Sequence, residues 1–238
     1  PSGRSTSTTR VRRPPGRPAS NRPPIRTPSS AASSRSRTSR VANVRREAAA
    51  VLIIGAVAAV ADAIVSAGEN SILAPHRREI CYVFVDLRGF TAFTDAAEPE
   101  EVQAVLHDYH AAMGALITEH EGTLDRFAGD GILIFFNDPI PIPEPGKRAA
   151  AMALAMQARF APLRQRWLKL GYDLDLGIGI AKGFATLGAF GFEGRFDYSA
   201  IGSVVNLAAR LCAESQPGQT VIDRRARAAL DDDFDVEP

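Results

Sequence analysis

The sequence has little that could cross-link it or hold zinc. Only two of its 238 residues are cysteines, Cys81 and Cys212, and its four histidines are scattered along the chain. That spacing excludes a zinc site built from a Cys/His cluster. We expect both cysteines to be small buried hydrophobic residues in a protein of a reducing compartment, the cytoplasm.

Acidic residues are absent from the first 46 positions. This segment contains twelve arginines and no aromatic residue, and Ser, Pro, Thr and Ala make up most of the remainder. A chain of this composition buries too little apolar surface to offset its conformational entropy, which predicts a disordered tail over residues 1–46. Because the tail has no aromatic side chain on which bases could stack, we expect no specific nucleic-acid partner.

A long apolar run is also missing. The most apolar stretch, residues 48–61, is about fourteen residues long, and a membrane-spanning helix needs about twenty. The preferred interpretation is an apolar helical linker over residues 47–77. Arginines precede the stretch, as they do in anchors with a positive inner side, so membrane attachment remains the alternative.

The domain expected over residues 78–238 contains two strand-like runs, and each carries one aspartate at a turn. Asp86 follows the apolar run Val83-Phe84-Val85, and Asp130 lies between two glycines, which is typical of a hairpin. A central strand beside such a hairpin would bring both carboxylates to one edge of a sheet. Paired carboxylate oxygens suit hard divalent ions such as Mg²⁺. Taken singly, each aspartate could equally be a turn former or a helix cap.

The pattern around these runs predicts the fold class. Apolar residues at helical spacing indicate helices over about 98–121 and 146–170, and a shorter one follows over 201–213. Residues 172–180 indicate a strand in which Gly177 and Gly179 imply close backbone packing, and Gly183 is expected to turn the chain into residues 184–190. We predict an α+β fold with a mainly antiparallel sheet and helices packed mostly on one face.

Four motifs resemble the catalytic domain of the class III nucleotidyl cyclases, the adenylyl and guanylyl cyclase family, in its bacterial form. They occur in the family's order between about Arg78 and Leu230, and they are the runs Phe84–Thr91, Phe127–Gly131, Gly177–Ile180 with Gly183, and Tyr198–Arg210. The resemblance implies a ferredoxin-like core. It also implies a head-to-tail homodimer whose active sites take residues from both subunits.

By position, the resemblance assigns the metal-binding half of the site. Asp86 and Asp130 would bind two Mg²⁺ or Mn²⁺ ions, and Leu87 would add its backbone carbonyl. Backbone N–H groups at a helix start would bind the substrate phosphates, and these groups belong to Gly89, Phe90 and Thr91. A plain turn at Gly89 and core packing of Phe90 are compatible with these roles.

The partner subunit would supply the other half. Asn206 and Arg210 are four residues apart, so they share one helix face, and the resemblance makes them the catalytic pair that contacts ribose and phosphate. Arg126 and Ser199 occupy the positions at which adenylyl cyclases typically carry a Lys and an Asp that bind the base. Guanylyl cyclases would carry Glu and Cys there. The resemblance therefore favours ATP over GTP, and an adenylate cyclase that forms 3′,5′-cyclic AMP and pyrophosphate in intracellular signalling.

Three departures keep other interpretations open. The planar fork of Arg126 is no simple replacement for Lys, and Phe184 lies where some members carry a phosphate-binding Arg. The family's transition-state Lys would fall beyond Pro238, so we expect the catalytic domain to be C-terminally truncated. A catalytically weak cyclase-homology domain that binds nucleotide or a partner, and a guanylate cyclase, remain the alternatives. A diguanylate cyclase is disfavoured because its Gly-Gly-Asp/Glu-Glu-Phe turn is absent.

Overall fold

The computed structural model describes residues 9–12, 73–192 and 195–237. Its strands are β1 (Thr9–Arg12), β2 (His76–Arg88), β3 (Thr123–Ala128), β4 (Gly131–Phe136), β5 (Asp175–Phe192), β6 (Arg195–Ile201), β7 (Thr220–Ile222) and β8 (Asp235–Glu237). Its helices are α1 (Phe90–Ala96), α2 (Pro99–Glu119), α3 (Pro145–Lys169), α4 (Ser203–Glu214) and α5 (Arg224–Arg227).

One sheet organises these elements. Its strand order is β3-β4-β2-β5-β7-β1-β8, and β6 pairs with the distal part of β5. All pairings are antiparallel except that of β5 with β7. The segment β2-α2-β3-β4-α3-β5, with sheet order β3-β4-β2-β5, is the ferredoxin-like arrangement. The predicted α+β fold is confirmed.

Helix α2 forms where the apolar period and the cap signals agree. The Glu98 side chain accepts from the backbone of the first turn while that of Glu101 accepts from the Glu98 N–H, and Pro99 occupies an early helical position. Both features stabilise a helix start. The buried side chains lie at helical spacing and form one stripe against the sheet, and they are Val105, Tyr109, Met113, Leu116 and Ile117.

The sheet has an apolar core on each face. Alternate β2 residues such as Cys81 and Val83 pack with α2 and α3 on one face. Tyr82 packs with buried residues of α4, including Ala208, on the other. Because α1 and α5 also contribute to the first core, the prediction that the helices lie mostly on one face is confirmed. Helix α4 is the exception. The predicted burial of both cysteines is confirmed as well.

The structure corrects the predicted turn at Gly183. This residue lies inside β5 and pairs with Ile80, because β2 is thirteen residues long and pairs with β5 along its whole length. The predicted close packing at Gly177 and Gly179 is present. A Cβ at Gly179 would collide with the α4 backbone at Cys212 and Ala208.

The upstream predictions fall largely outside the described residues. Within the tail predicted to be disordered, residues 9–12 instead form β1, paired with β7 and β8. The rest of residues 1–46, and the stretch 48–61 with its linker or membrane alternatives, lie outside the described residues. In residues 73–192 and 195–237, no helix has both the length and the hydropathy of a membrane span. The expected linker end at residue 77 overlaps β2, which begins at His76.

Candidate active site

The end of β2 and the β3–β4 turn bring the two predicted acids together. Asp86 is the antepenultimate residue of β2, and Asp130 precedes β4, its neighbour in the sheet. The Oδ2 atom of Asp130 accepts a hydrogen bond from the backbone N–H of Leu87 at 3.1 Å. The carboxylate of Asp130 is thus held by the residue that directly follows Asp86. Two acids that are distant in sequence thus share one edge of the sheet.

The two carboxylates repel each other when both are ionised. Burial first, and then the charge of Asp130, raise the pKa of Asp86 from its ordinary 3.8 to about 6, although Arg88 acts against the rise. Beneath the pair, the buried hydroxyl of Tyr109 has no hydrogen-bond partner in the described part of the chain. Burial and the charges of Asp130 and Asp86 raise its pKa. A like-charged carboxylate pair is stabilised by a cation between its members.

The donor set therefore fits a hard divalent cation. Carboxylate oxygens are the ligands that Mg²⁺ and Mn²⁺ prefer. No group of three or more His, Cys, Asp or Glu side chains suited to a metal occurs among the described residues, so a metal here would rest on two carboxylates, backbone oxygen, water and substrate. Mg²⁺ sites in phosphoryl-transfer enzymes often have this composition. The backbone of Leu87 borders the site through its N–H, while its side chain is buried in the core.

The first turn of α1 borders the carboxylates. Gly89 has a φ of 86° and caps α1, and a Cβ there would approach the backbone oxygen of Asp173 to 2.5 Å. Conformation and space therefore both require glycine at this turn. Phe90 packs against Phe93 of the core, and Thr91 is exposed. The predicted turn and core roles are thus present, and the phosphate-binding roles stay predictions.

Sequence reasoning missed Arg88. Its Nη1 atom lies 3.1 Å from Asp86 Oδ2, and its Nη2 atom donates to the Cys212 carbonyl oxygen and, at 3.0 Å, to Ser215 Oγ. The available signal was the strand period of two, which places Arg88 on the same face of β2 as Asp86.

The residues expected to bind the base also meet. The exposed Arg126 of β3 donates a hydrogen bond from Nη2 to Oγ of the buried Ser199 of β6 at 2.7 Å. The neighbouring Tyr198 donates to Asp138, a buried carboxylate that also accepts from His76 at 2.9 Å. This network joins β6 to the loop after β4.

Asn206 and Arg210 lie on the exposed side of α4, while Val204 and Ala208 face the sheet. Helix α4 begins directly after β6, so the strand that carries Ser199 also leads into the helix that carries Asn206 and Arg210. One chain therefore presents an acidic half-site at the end of β2 and a second polar set on β3, β6 and α4.

The fold matches the one expected for a nucleotide cyclase. Residues 72–238 match the family model described as the adenylate and guanylate cyclase catalytic domain. The chain belongs to this family, and it contains a class III nucleotide cyclase domain. Enzymes of the family are generally dependent on divalent metal ions.

Known relatives include both cyclase types. The chain is 34% identical to an adenylate cyclase of Anabaena cylindrica over 56% of its own length and 27% of the relative's. The crystal structure of the adenylyl cyclase CyaB from P. aeruginosa is 34% identical, with a TM-score of 0.64 over 66% of this chain and 82% of that one. The guanylyl cyclase Cya2 is 38% identical, with a TM-score of 0.64 over 66% of this chain and 81% of that one. The chain spans about a quarter of the length of the curated relatives it matches.

Proposed function

We propose that this domain is an adenylate cyclase that converts ATP to 3′,5′-cyclic AMP and pyrophosphate. The observation that carries the proposal is the meeting of Asp86 and Asp130 at one sheet edge, where Leu87 N–H fixes Asp130. A half-buried pair of acids, in which burial and the charge of Asp130 raise the pKa of Asp86, is a site that a divalent ion would stabilise. The adenylate cyclase of Anabaena cylindrica and the adenylyl cyclase CyaB support the choice of reaction.

The reaction replaces one phosphorus–oxygen bond by another. The ribose 3′-oxygen attacks the α-phosphorus in line, and the bond from that phosphorus to the bridging oxygen of the β-phosphate breaks, so that pyrophosphate leaves. The proton of the 3′-hydroxyl passes to solvent water. Two bound Mg²⁺ or Mn²⁺ ions would lower the pKa of the 3′-hydroxyl and neutralise the triphosphate. In this chain, Asp86, Asp130 and the Leu87 carbonyl would hold them. The backbone of Gly89, Phe90 and Thr91 would contact the phosphates.

We further propose that the catalytic site is composite. Asn206 would orient the ribose, and Arg210 would stabilise the charge that develops on the phosphate oxygens. Both are proposed to act on substrate held by the acids of a partner subunit in a head-to-tail homodimer. Exposed apolar side chains near β6 and α4 support an interface there, because such surface is usually covered. Phe192 is 71% exposed, Ile201 55% and Phe184 49%.

The hydrogen bond between Arg126 and Ser199 affects how the site could recognise the nucleotide base. Because Ser199 Oγ accepts from Arg126, its own hydrogen remains free to donate, and an adenine ring nitrogen is a suitable acceptor. The same donors also suit guanine O6, and the chain is similar to the guanylyl cyclase Cya2. A guanylate cyclase is therefore the second candidate.

Complementation between two inactive chains tests the proposal. Asp130→Ala removes an acid, and Asn206→Ala removes a residue of the other half. We expect each homodimer to be inactive and an equimolar mixture to form cyclic AMP from ATP and Mn²⁺, because one of the two sites in the mixed dimer keeps both halves intact. At most about a quarter of wild-type activity should return, since about half of the dimers are mixed and each has one intact site.

The controls separate the possible failures. Sequential purification through a different affinity tag on each chain shows whether the mixed dimer forms. Parallel assays with GTP measure the base preference. Mixed dimers without activity would contradict the composite site. Activity in the Asp130→Ala homodimer would contradict the metal role of the pair, and faster turnover of GTP would replace the first candidate by the second.

A further inference from the structure

Arg88 joins the acidic half-site to the helix of the other half. It follows Asp86 by two residues on β2, and its Nη1 atom holds Asp86 Oδ2 at 3.1 Å. Its Nη2 atom reaches across β5 to the last turn of α4, where it donates to the Cys212 carbonyl and to Ser215 Oγ. The Arg88 side chain is 24% exposed. A planar fork with several donors can hold these partners at once, whereas an ammonium group would reach only some of them.

The chain provides the space that this contact needs. A Cβ on Gly177 would lie 2.6 Å from Arg88 Nε and 2.6 Å from Ser215 Oγ. Gly179 allows the backbone of α4 to rest directly on β5, and the Cys212 thiol donates to the Gly177 carbonyl at 3.4 Å. The two glycines therefore form a groove for Arg88 and the end of α4. Ser215 Oγ also donates to the Cys212 carbonyl at 2.7 Å, so the helix end is fixed by several convergent hydrogen bonds.

We propose that Arg88 is a positioning residue for both active sites of the dimer. In one site it orients Asp86. In the second site it holds helix α4, which carries Asn206 and Arg210. The acids that a chain contributes to one active site are therefore linked, through Arg88, to the helix that the same chain contributes to the other active site. The second role rests on the proposed composite homodimer. The contact between Arg88 and α4 does not, and it can be tested without turnover.

Arg88→Lys is the informative substitution because it keeps the positive charge beside Asp86 and removes the fork. Arg166→Lys is the matched control, since the guanidinium of Arg166 in α3 pairs with Asp108 of α2, on the sheet face opposite α4. Ser215→Ala removes one of the two acceptors on α4 and leaves Arg88 in place. We expect its effect to have the same direction and a smaller size.

Thiol labelling under native conditions measures the contact directly. Cys212 reports on the α4 end, and Cys81, which is buried in β2, is the internal control. We expect Arg88→Lys to speed labelling of Cys212 by at least about fivefold, because loss of about 1 kcal/mol of hydrogen bonding makes local opening about that much more frequent. The labelling rate of Cys81 should stay unchanged. An unchanged rate at Cys212, or an equal rise at both cysteines, would overturn the proposal.

The complementing pair of chains then locates the effect. In the mixed dimer of Asp130→Ala and Asn206→Ala chains, the intact site takes its helix from the Asp130→Ala chain. Arg88→Lys in that chain lies next to the acidic half-site that Asp130→Ala has already inactivated. We nevertheless expect kcat to fall about tenfold while KM for ATP changes less than about threefold, because a displaced helix weakens transition-state contacts. Arg166→Lys in the same chain should change neither constant.

The outcomes are distinguishable. An unchanged kcat with Arg88→Lys in the helix-donating chain would refute the link between the sites. If the mixed dimer proves inactive while selective labelling of Cys212 is seen, the Arg88 contact is supported and the proposed function fails. Arg88→Lys in the Asn206→Ala chain tests the first role, and we expect the Mn²⁺ concentration for half-maximal activity to rise about threefold as Asp86 loses its orientation.

Discussion

Replacing Asp86 by Asn should stabilise the metal-free protein while abolishing its activity. Burial, and then the charge of Asp130, raise the pKa of Asp86 from 3.8 to about 6. A carboxyl group with a raised pKa in the folded state destabilises that state once it is ionised. This loss of stability is absent below pH 3.8, grows as the pH rises from 3.8 to about 6, and reaches its full size above about pH 6. Asn removes the charge and keeps an oxygen that can accept from Arg88.

The magnitude follows from the difference in pKa. About two pH units correspond to about 3 kcal/mol. The Asp86 side chain is 31% exposed, so solvent screening should reduce this contribution to about half, about 1.5 kcal/mol. For a domain of this size, an increase of about 1.5 kcal/mol in the free energy of unfolding raises Tm by about 3–6 °C.

Thermal unfolding in EDTA at pH 7.5 and at pH 4 measures the effect. The gain from Asp86→Asn should be present at pH 7.5 and largely lost at pH 4. Asp95→Asn, which removes an exposed carboxylate of α1, should change stability by less than about 0.5 kcal/mol. Mg²⁺ should raise the Tm of the wild type and leave that of Asp86→Asn unchanged. A Tm for metal-free Asp86→Asn at pH 7.5 equal to or below that of the wild type would refute the electrostatic argument.

Three further predictions concern the packing at Gly179, the ion pair of His76, and the recognition of the nucleotide base by Ser199. Gly179→Ala should lower the free energy of unfolding by about 2–4 kcal/mol, because its Cβ collides with the α4 backbone. Gly114→Ala, in a helix with open space around it, should raise it by about 0.5–1 kcal/mol, and denaturant titration compares the two. Burial lowers the pKa of His76, but its hydrogen bond to Asp138 prevails and raises it. The ion pair between His76 and Asp138 should therefore stabilise the fold below about pH 6.5 and lose this effect at higher pH. His76→Gln should reduce Tm more at pH 5.5 than at pH 8.5. An equal reduction at both pH values would show that the charge of His76 does not stabilise the fold. Ser199→Ala should lower kcat/KM for ATP by about tenfold through the lost hydrogen bond, and an unchanged value would remove Ser199 from base recognition.

The sequence predicted the parts of the fold that have local signals. Helix α2 was predictable because the cap at Glu98 and the apolar stripe agree, and the β3–β4 hairpin was predictable from the glycines around Asp130. The single strand β5 was not, because a glycine within a strand reads as a turn unless its partner strand is known. Pairing with β2 over thirteen residues is a nonlocal property.

The candidate site shows the same division. The convergence of Asp86 and Asp130 followed from strand ends and a hairpin, and the resemblance to the cyclase family supplied the remaining assignments. The contact of Arg88 with Ser215 depends on where α4 crosses β5. A separation of 127 residues along the chain leaves no local trace in the sequence, so only the structure could reveal it.

The most direct test of the central claim is nucleotide turnover by the protein and by its Asp130→Asn variant. Each is incubated with Mn²⁺ and ATP, the products are separated by chromatography, and circular dichroism confirms that both proteins are folded. The account predicts cyclic AMP and pyrophosphate in equal amounts from the first protein, and a loss of at least about a hundredfold in the second. Undiminished formation of cyclic AMP by folded Asp130→Asn would contradict it.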